Sequence, residues 1–358
     1  MKTFSKIKLF LLTATATATI TAQDLHFSQF NEAPLLVNPA LTSVKNDIRA
    51  SLTYRDQWRS VTSPYQTFGA SYEMKLNKKE WVKVDKFTEI YKQSMKNLSA
   101  GIQIYRDKAG DGKMGSFQAL LSLASHVRIA KEHMLSLGFM GGISQHTIDF
   151  SAFQWDSQYD GFNYDPTLST GENFSTNNFV RAEFASGILW TFGKNESSIR
   201  SNNEFKGNLG IAGYHLNRPK TGFIAAGSDR MEARWVAHGN CEIGVKNTNL
   251  DILPSFLVNL QGPSKEIIFG SMLRYNAKED SKYTGFVKSL NWSLGGYWRA
   301  GDSFILSTLL EAGQYAVGFS YDINASDLSG ASTGRGGFEI TLRFITPNPY
   351  LYSASRIR

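Results

Sequence analysis

The chain has 358 residues, a formal net charge of +7, 13% aromatic side chains and a single cysteine, Cys241. That length allows one large or two ordinary domains, and the lone cysteine excludes an intramolecular disulfide framework and argues against a thiolate metal site. No apolar run long enough for a membrane-spanning helix follows the N-terminal stretch, and a charge spread this thinly points to no nucleic-acid partner.

Residues 1–22 open with Lys2, Lys6 and Lys8, continue through an apolar, threonine-rich run from Leu9 to Ile20, and end at the small Ala22. This is the three-part layout of a secretory signal peptide, with an apolar core too short to span a bilayer. The alternative is an amphipathic N-terminal helix of a cytoplasmic protein. Gln23 is then the expected first mature residue, and no cysteine follows the cut to carry a lipid anchor.

Beyond residue 46 a period-2 alternation recurs. It marks segments 47–56, 66–76, 98–104, 115–129, 133–145, 179–191, 206–217, 232–245, 254–260, 266–276, 285–299, 303–311, 313–321 and 336–344. The segment from Gly115 is the clearest: Phe117, Ala119, Leu121, Leu123, Val127 and Ile129 share one face, and Gln118, Ser122, His126 and Arg128 the other. An apolar face opposed to a polar one is the pattern of a transmembrane β-barrel strand. Fourteen segments is an even number, as single-chain outer-membrane barrels have, and it puts both termini on one side. With the N-terminus in the periplasm, the longest connection, 146–178, faces outward. The inward connection 77–96 is long, and its sequence suggests a short amphipathic helix with Trp81, Val84, Phe87 and Tyr91 on one side. Segment 254–260 is the weakest strand because of Pro254.

A soluble β-sandwich or propeller also alternates. The aromatics at strand ends (Tyr54, Trp58, Tyr72, Trp190, Phe192, Trp298) instead suit girdles at two membrane interfaces, and no fixed repeat supports a propeller. The fold class expected is all-β: a transmembrane antiparallel barrel of about fourteen strands.

Motifs of catalysis are missing: there is no HExxH, GxSxG or P-loop. His238 and Cys241 lie three apart on one strand and therefore on opposite faces, so His238 reads as a structural histidine facing the lumen. DKAGDGK from Asp107 fails the EF-hand pattern at Ala109 and Gln118, and DSQYDGFNYD (156–165) lacks its closing Glu; Asp-Gly turns are the expected account of both, with calcium at the second loop as the alternative. In TYRDQWRS, Arg55 and Arg59 share a parity opposite Tyr54 and Trp58. If the aromatics meet lipid, both arginines point into the lumen, where Glu183 and Glu339 are candidate partners; an anion site is the alternative use. No metal or cofactor is expected.

Several stretches together resemble one family. They are HFSQFNEAPLLVNPA (26–40), YRDQW (54–58), PYQT (64–67), IYRDKAGDGKMG (104–115), LGFMGGISQ (137–145), WDSQYDGFNYDP (155–166), GGYWRAGDSF (295–304), GFSYDINASDLS (318–329) and GGFEITLRF (336–344). In this order they resemble the PorP/SprF family of the type IX secretion system, outer-membrane proteins of the Bacteroidetes. Phe338 stands where a histidine is expected, and the tail lacks a basic, cysteine-containing ending. The resemblance implies an outer-membrane barrel without catalysis. It would associate with gliding and secretion components or receive secreted surface adhesins.

The expected organisation is a signal peptide (1–22), an N-terminal periplasmic, plug-like segment (23–46), a barrel (47–344) and a C-terminal periplasmic tail (345–358). Phe27, Phe30 and Leu35 to Val37 would anchor the plug-like segment at the barrel mouth. Asn38-Pro39-Ala40 would form the turn that launches strand one, with Pro39 biasing Asn38 toward an extended backbone. Loops 146–178 and 322–335 are the expected docking surface, the first carrying Trp155, Tyr159, Phe162 and Tyr164 as aromatic anchors. The competing class is a passive channel for a small solute, which needs an open lumen; Tyr105, His126, Arg128, Arg181 and Arg274 on inward positions lean against it.

Overall fold

The computed structural model describes residues 26–347 apart from 60–62, 77–78, 86–87, 94–97, 111, 131, 172–175, 195–201, 203, 223–229, 279–288 and 327–333. The expected signal peptide and residues 348–358 lie outside the described residues. The strands are β1 (Asn46–Gln57), β2 (Tyr65–Lys75), β3 (Lys79–Asp85), β4 (Thr88–Gln93), β5 (Leu98–Ala109), β6 (Met114–Ala130), β7 (His133–Thr147) and β8 (Asn178–Lys194). They continue as β9 (Phe205–Tyr214), β10 (Arg234–Gly244), β11 (Leu250–Gln261), β12 (Ser264–Lys278), β13 (Leu290–Arg299), β14 (Ser303–Ala312), β15 (Tyr315–Asn324) and β16 (Arg335–Pro347). All but β3 and β4 form a closed antiparallel barrel of fourteen strands in sequence order, sealed where β1 pairs with β16 from Asn46↔Pro347 to Gln57↔Gly337.

Closure leaves none of the fourteen barrel strands with a free edge, and the alternation of side chains then sorts each of them into two faces. On β6, Leu121 is 63% exposed on the outer wall while its neighbour Ser122 is 1% exposed inside. Large apolar residues hold the outer positions all round, among them Phe139, Ile188, Ile211, Phe269, Leu294 and Leu306, as a lipid-facing band requires. Aromatics crowd both ends of this band. Trp58 and Tyr65 (ring centroids 4.8 Å apart) and Trp298 and Phe304 (4.1 Å) lie at one rim. Trp190, Phe192 and Phe205 form a chain at the other, with steps of 5.0 and 5.4 Å. We refer to the first as the loop rim, because it carries 148–177, and to the second as the hairpin rim.

Three segments differ from expectation. The 77–96 connection is not helical: β3 and β4 pair as an antiparallel hairpin, Trp81↔Tyr91 and Val82↔Ile90 in register. Its density of Val, Ile, Thr, Trp and Tyr favours extended backbone over a helical stripe; Phe87 falls outside the described residues. The doubtful 254–260 strand is twelve residues long, and Pro254 sits in its interior. Pairing with β10 runs to Asn240↔Ser255 and resumes only at Ile243↔Ile252, while Pro254 keeps its place opposite Ser271 on β12. The missing proline N–H thus opens one gap in one ladder. Finally, β16 extends through 345–347, so the expected tail begins inside a strand.

The lumen is occupied by the chain's own N-terminal segment. Residues 26–45 form a 3-10 turn (Phe30–Glu32), a one-turn α-helix (Pro34–Val37) and a second 3-10 turn (Pro39–Leu41) before β1 begins. The surrounding wall is correspondingly dry: Gln103, Ser122, Ser144, Asn208, Ile268, Ser293 and Ile305, from seven different strands, are each no more than 1% exposed.

Candidate functional site

The lumen segment is held at three levels. At the loop rim, the Glu339 carboxylate accepts the backbone N–H groups of Ser28 (2.8 Å) and Gln29 (3.0 Å). Arg55 donates to the His26 carbonyl at 2.7 Å and pairs with Asp322 at 2.9 Å. Arg299 joins Asp322 (3.0 Å), Glu266 (3.2 Å) and the Ser28 hydroxyl (3.0 Å). Every charge in this ring meets an opposite one or a peptide dipole, as burial demands. Toward the hairpin rim, Glu32 lies between Arg343 (2.8 Å) and Arg49 (3.2 Å), and Arg343 also pairs with Glu311, itself 3.4 Å from Arg274.

Between the two charged levels the segment sits on small wall residues. A Cβ on Gly138 would meet the backbone of Pro39 and Ala40 at 2.3 Å, and one on Gly187 the Asn38 amide oxygen at 2.1 Å. Only glycine permits so close an approach. Asn38 is extended (φ −160°, ψ 124°), caps the Ala40 N–H at 2.8 Å, and donates to the Ile188 carbonyl at 3.0 Å. His238 faces inward and contacts the Asn38 amide at 3.1 Å, while His126 meets the Thr42 carbonyl at 3.0 Å. Phe27 packs at a tilt against Tyr105 and Phe30 edge-to-face against Tyr297, with centroids 5.8 and 5.7 Å apart. Phe27, Phe30, Leu35 and Val37 are all buried, each worth about 1.5–3 kcal/mol relative to water.

Several sequence-based placements change. Asn38-Pro39 lies within the lumen, and its Pro39 opens a 3-10 turn rather than launching β1, which starts only at Asn46. Arg59 is not in the lumen: β1 ends at Gln57, Trp58 takes φ +54°, and the parity is lost. The Arg59 side chain is 72% exposed and pairs with Asp56 at 3.4 Å. Arg55 does point inward, yet neither expected carboxylate takes it. Glu339 serves the peptide N–H groups, and Glu183 pairs with Arg181 (2.6 Å) and His215. Arg128 has inward parity but is exposed at the hairpin-rim end of β6. Asp322, Arg299 and Glu32 are not among the residues expected at the site, although Ser320 and Asp322 alternating with Phe319, Tyr321 and Ile323 mark an inward polar face.

The second feature is the loop between β7 and β8. Gln158 is buried at its centre: its carbonyl accepts the Asp165 N–H (2.8 Å) and its amide donates to the Pro166 and Leu168 carbonyls (3.3 and 3.0 Å). Tyr159 and Tyr164 pair as a β-bridge, and Gly161 (φ +97°) turns the tip. Phe162, at that tip, is 87% exposed; Tyr159 and Tyr164 are also exposed, whereas Trp155 is half-buried beside Phe153. One Asp160 oxygen accepts the N–H groups of Phe162 and Asn163, both at 2.7 Å, and one Asp165 oxygen holds Thr167. These are Asx turns rather than a converging ligand shell. Elsewhere Glu204, Glu242 and Asp251 each bring one oxygen within 4.8 Å of the others, but Lys206 pairs with Glu204 and Arg274 with Glu242, so the protein's own cations already occupy that cluster.

The family described as type IX secretion system membrane protein PorP/SprF matches residues 19–344. The chain belongs to that family. With an apolar exterior on a closed barrel, this PorP/SprF protein is an outer-membrane β-barrel component of type IX secretion. No curated protein matches it. Among solved structures it is similar to the β domain of the Bordetella autotransporter Brka, with 10% identity, 84% of this chain and 99% of that chain covered and a TM-score of 0.35. It is also similar to BamA from Haemophilus ducreyi lacking POTRA domains 1–3, with 11% identity, 84% and 70% covered and a TM-score of 0.37.

Proposed function

We propose that this PorP/SprF barrel is a non-enzymatic docking component that binds a secreted surface protein and helps deliver and anchor it. The loop rim faces the exterior and the hairpin rim the periplasm, where the β3–β4 hairpin is available to other secretion components. The observation that carries the reading is the filled lumen. A barrel whose wall is dry on seven strands offers its partners only its two ends, and at the outer end the 148–177 loop projects Tyr159, Phe162 and Tyr164, the side-chain types that interfaces favour. A passive channel for a small solute needs a wetted wall, and the burial of Phe27, Phe30, Leu35 and Val37 in the lumen weighs against one.

The test is affinity capture of the natively expressed barrel in mild detergent, paired with conductance in reconstituted bilayers. Co-purification of a secreted surface protein, lost on deletion of 155–165, together with negligible conductance supports docking. Steady conductance without any protein partner overturns it in favour of the channel.

A further inference from the structure

The 148–177 loop carries Asp149, Asp156, Asp160, Asp165 and Glu172 and not one Lys or Arg, in a chain whose net charge is positive. Asp149 is neutralised by Lys113 at 3.2 Å. Asp156 and Asp160 are exposed and Asp165 half-buried, with no ion pair to any of the three among the described residues. In sequence the acids flank an apolar point: Phe162 stands between Asp160 and Asp165 on a tip fixed by the Tyr159–Tyr164 bridge and the buried Gln158. A turn that holds a bare phenyl ring toward water, flanked in sequence by unneutralised carboxylates, is complementary to a cationic surface with an apolar socket.

Resting on the docking reading above, we infer that the partner surface this loop receives is basic: a Lys/Arg-rich segment of the surface protein that encloses Phe162 and pairs with Asp156, Asp160 and Asp165. The apolar ring supplies the anchor, and the carboxylates supply encounter rate and the exclusion of acidic competitors. Asp160 and Asp165 are fit for this because each spends one oxygen on its own turn and leaves the other to a partner. The N–H groups of Asn163 and Phe162 also hold the Asp160 carboxyl below its ordinary range.

The experiment uses the full-length barrel in nanodiscs, with EDTA present, and two fluorescent peptides: one lysine-rich with a single tryptophan, and its glutamate counterpart. The Asp156→Asn, Asp160→Asn, Asp165→Asn triple variant removes charge while keeping the side-chain oxygen each turn needs. The lysine peptide should bind the wild type in low salt, about tenfold more weakly to the triple variant, as three rim pairs predict, and more weakly to Phe162→Ala. The glutamate peptide should not bind. Equal binding of both peptides, an unaffected triple variant, or binding that requires a divalent cation overturns the inference. In cells, surface-protein capture lost on deleting 155–165 but unchanged in the triple variant sinks the basic-partner inference alone. Capture indifferent to the deletion sinks the docking reading itself.

Discussion

Arg55 and Arg59 are four residues apart with the same expected parity, and the barrel puts them in opposite environments. Replacing Arg55 with Ala removes a donor to the His26 carbonyl and one of three partners of Asp322, which keeps Arg299 at 3.0 Å and the Ser28 hydroxyl at 2.8 Å. The cost should be about 1–3 kcal/mol, below that of orphaning an isolated buried charge. It will be read as a lower temperature at which the heat-modifiable folded band disappears from gels. Arg59→Ala should lower that temperature less, because the Arg59 end of its pair is exposed and the buried Asp56 keeps Tyr54 and Gln66 as donors. Gly138→Val is the sharper test of the lumen seat: its Cβ meets backbone rather than a flexible side chain, so the segment or the wall has to shift, at about 1–3 kcal/mol or more. On the loop, the lowered Asp160 and Asp165 carboxyls keep their charge to lower pH than free aspartate, whose ordinary value is 3.8. Lysine-peptide binding should therefore persist as pH falls to about 4 and fade only below it; loss of binding between pH 6 and 5 would contradict that.

The strands were legible because half their residues face lipid, which stamps a period of two on the sequence that no loop shares. The β3–β4 hairpin was not, since Trp81, Val84 and Tyr91 fit a helical spacing nearly as well as a strand pattern, and only cross-strand pairing decides between them. The partner of Arg55 was out of reach for a different reason. Asp322 lies on β15, two strands away across β16, and that adjacency exists only once the barrel closes. The aromatic tip of the 148–177 loop could be named from residue types, whereas the burial of Gln158 that stiffens it could not. At this scale Pro254 offers a clean test. Pro254→Val supplies the N–H missing from the β10–β11 ladder, and the folded band should survive heating equally well or better, by up to about 1 kcal/mol. A marked loss would mean that the gap serves some other purpose.

For the molecule as a whole, a filled lumen and a closed seam predict a barrel that conducts almost nothing. Deleting 27–41 should change that in one of two readable ways: stable protein with new conductance, or a folded band lost at much lower temperature because the Glu339 and Arg343 levels have lost the groups that neutralise them. Wild-type-like heat resistance with no conductance would contradict the description of the segment as the filling of the pore. The direction in which that segment runs has its own consequence. His26 sits level with Arg55, Arg299 and Asp322 at the loop rim, while Lys45 leads into β1 at the opposite rim. With the loop rim outward, as proposed, the segment is a stopper on a short cord, tied to β1 at the hairpin rim with His26 up at the opposite rim. A small epitope joined just ahead of His26 should therefore be bound by antibody on intact cells, and binding only after the outer membrane is opened would contradict that orientation.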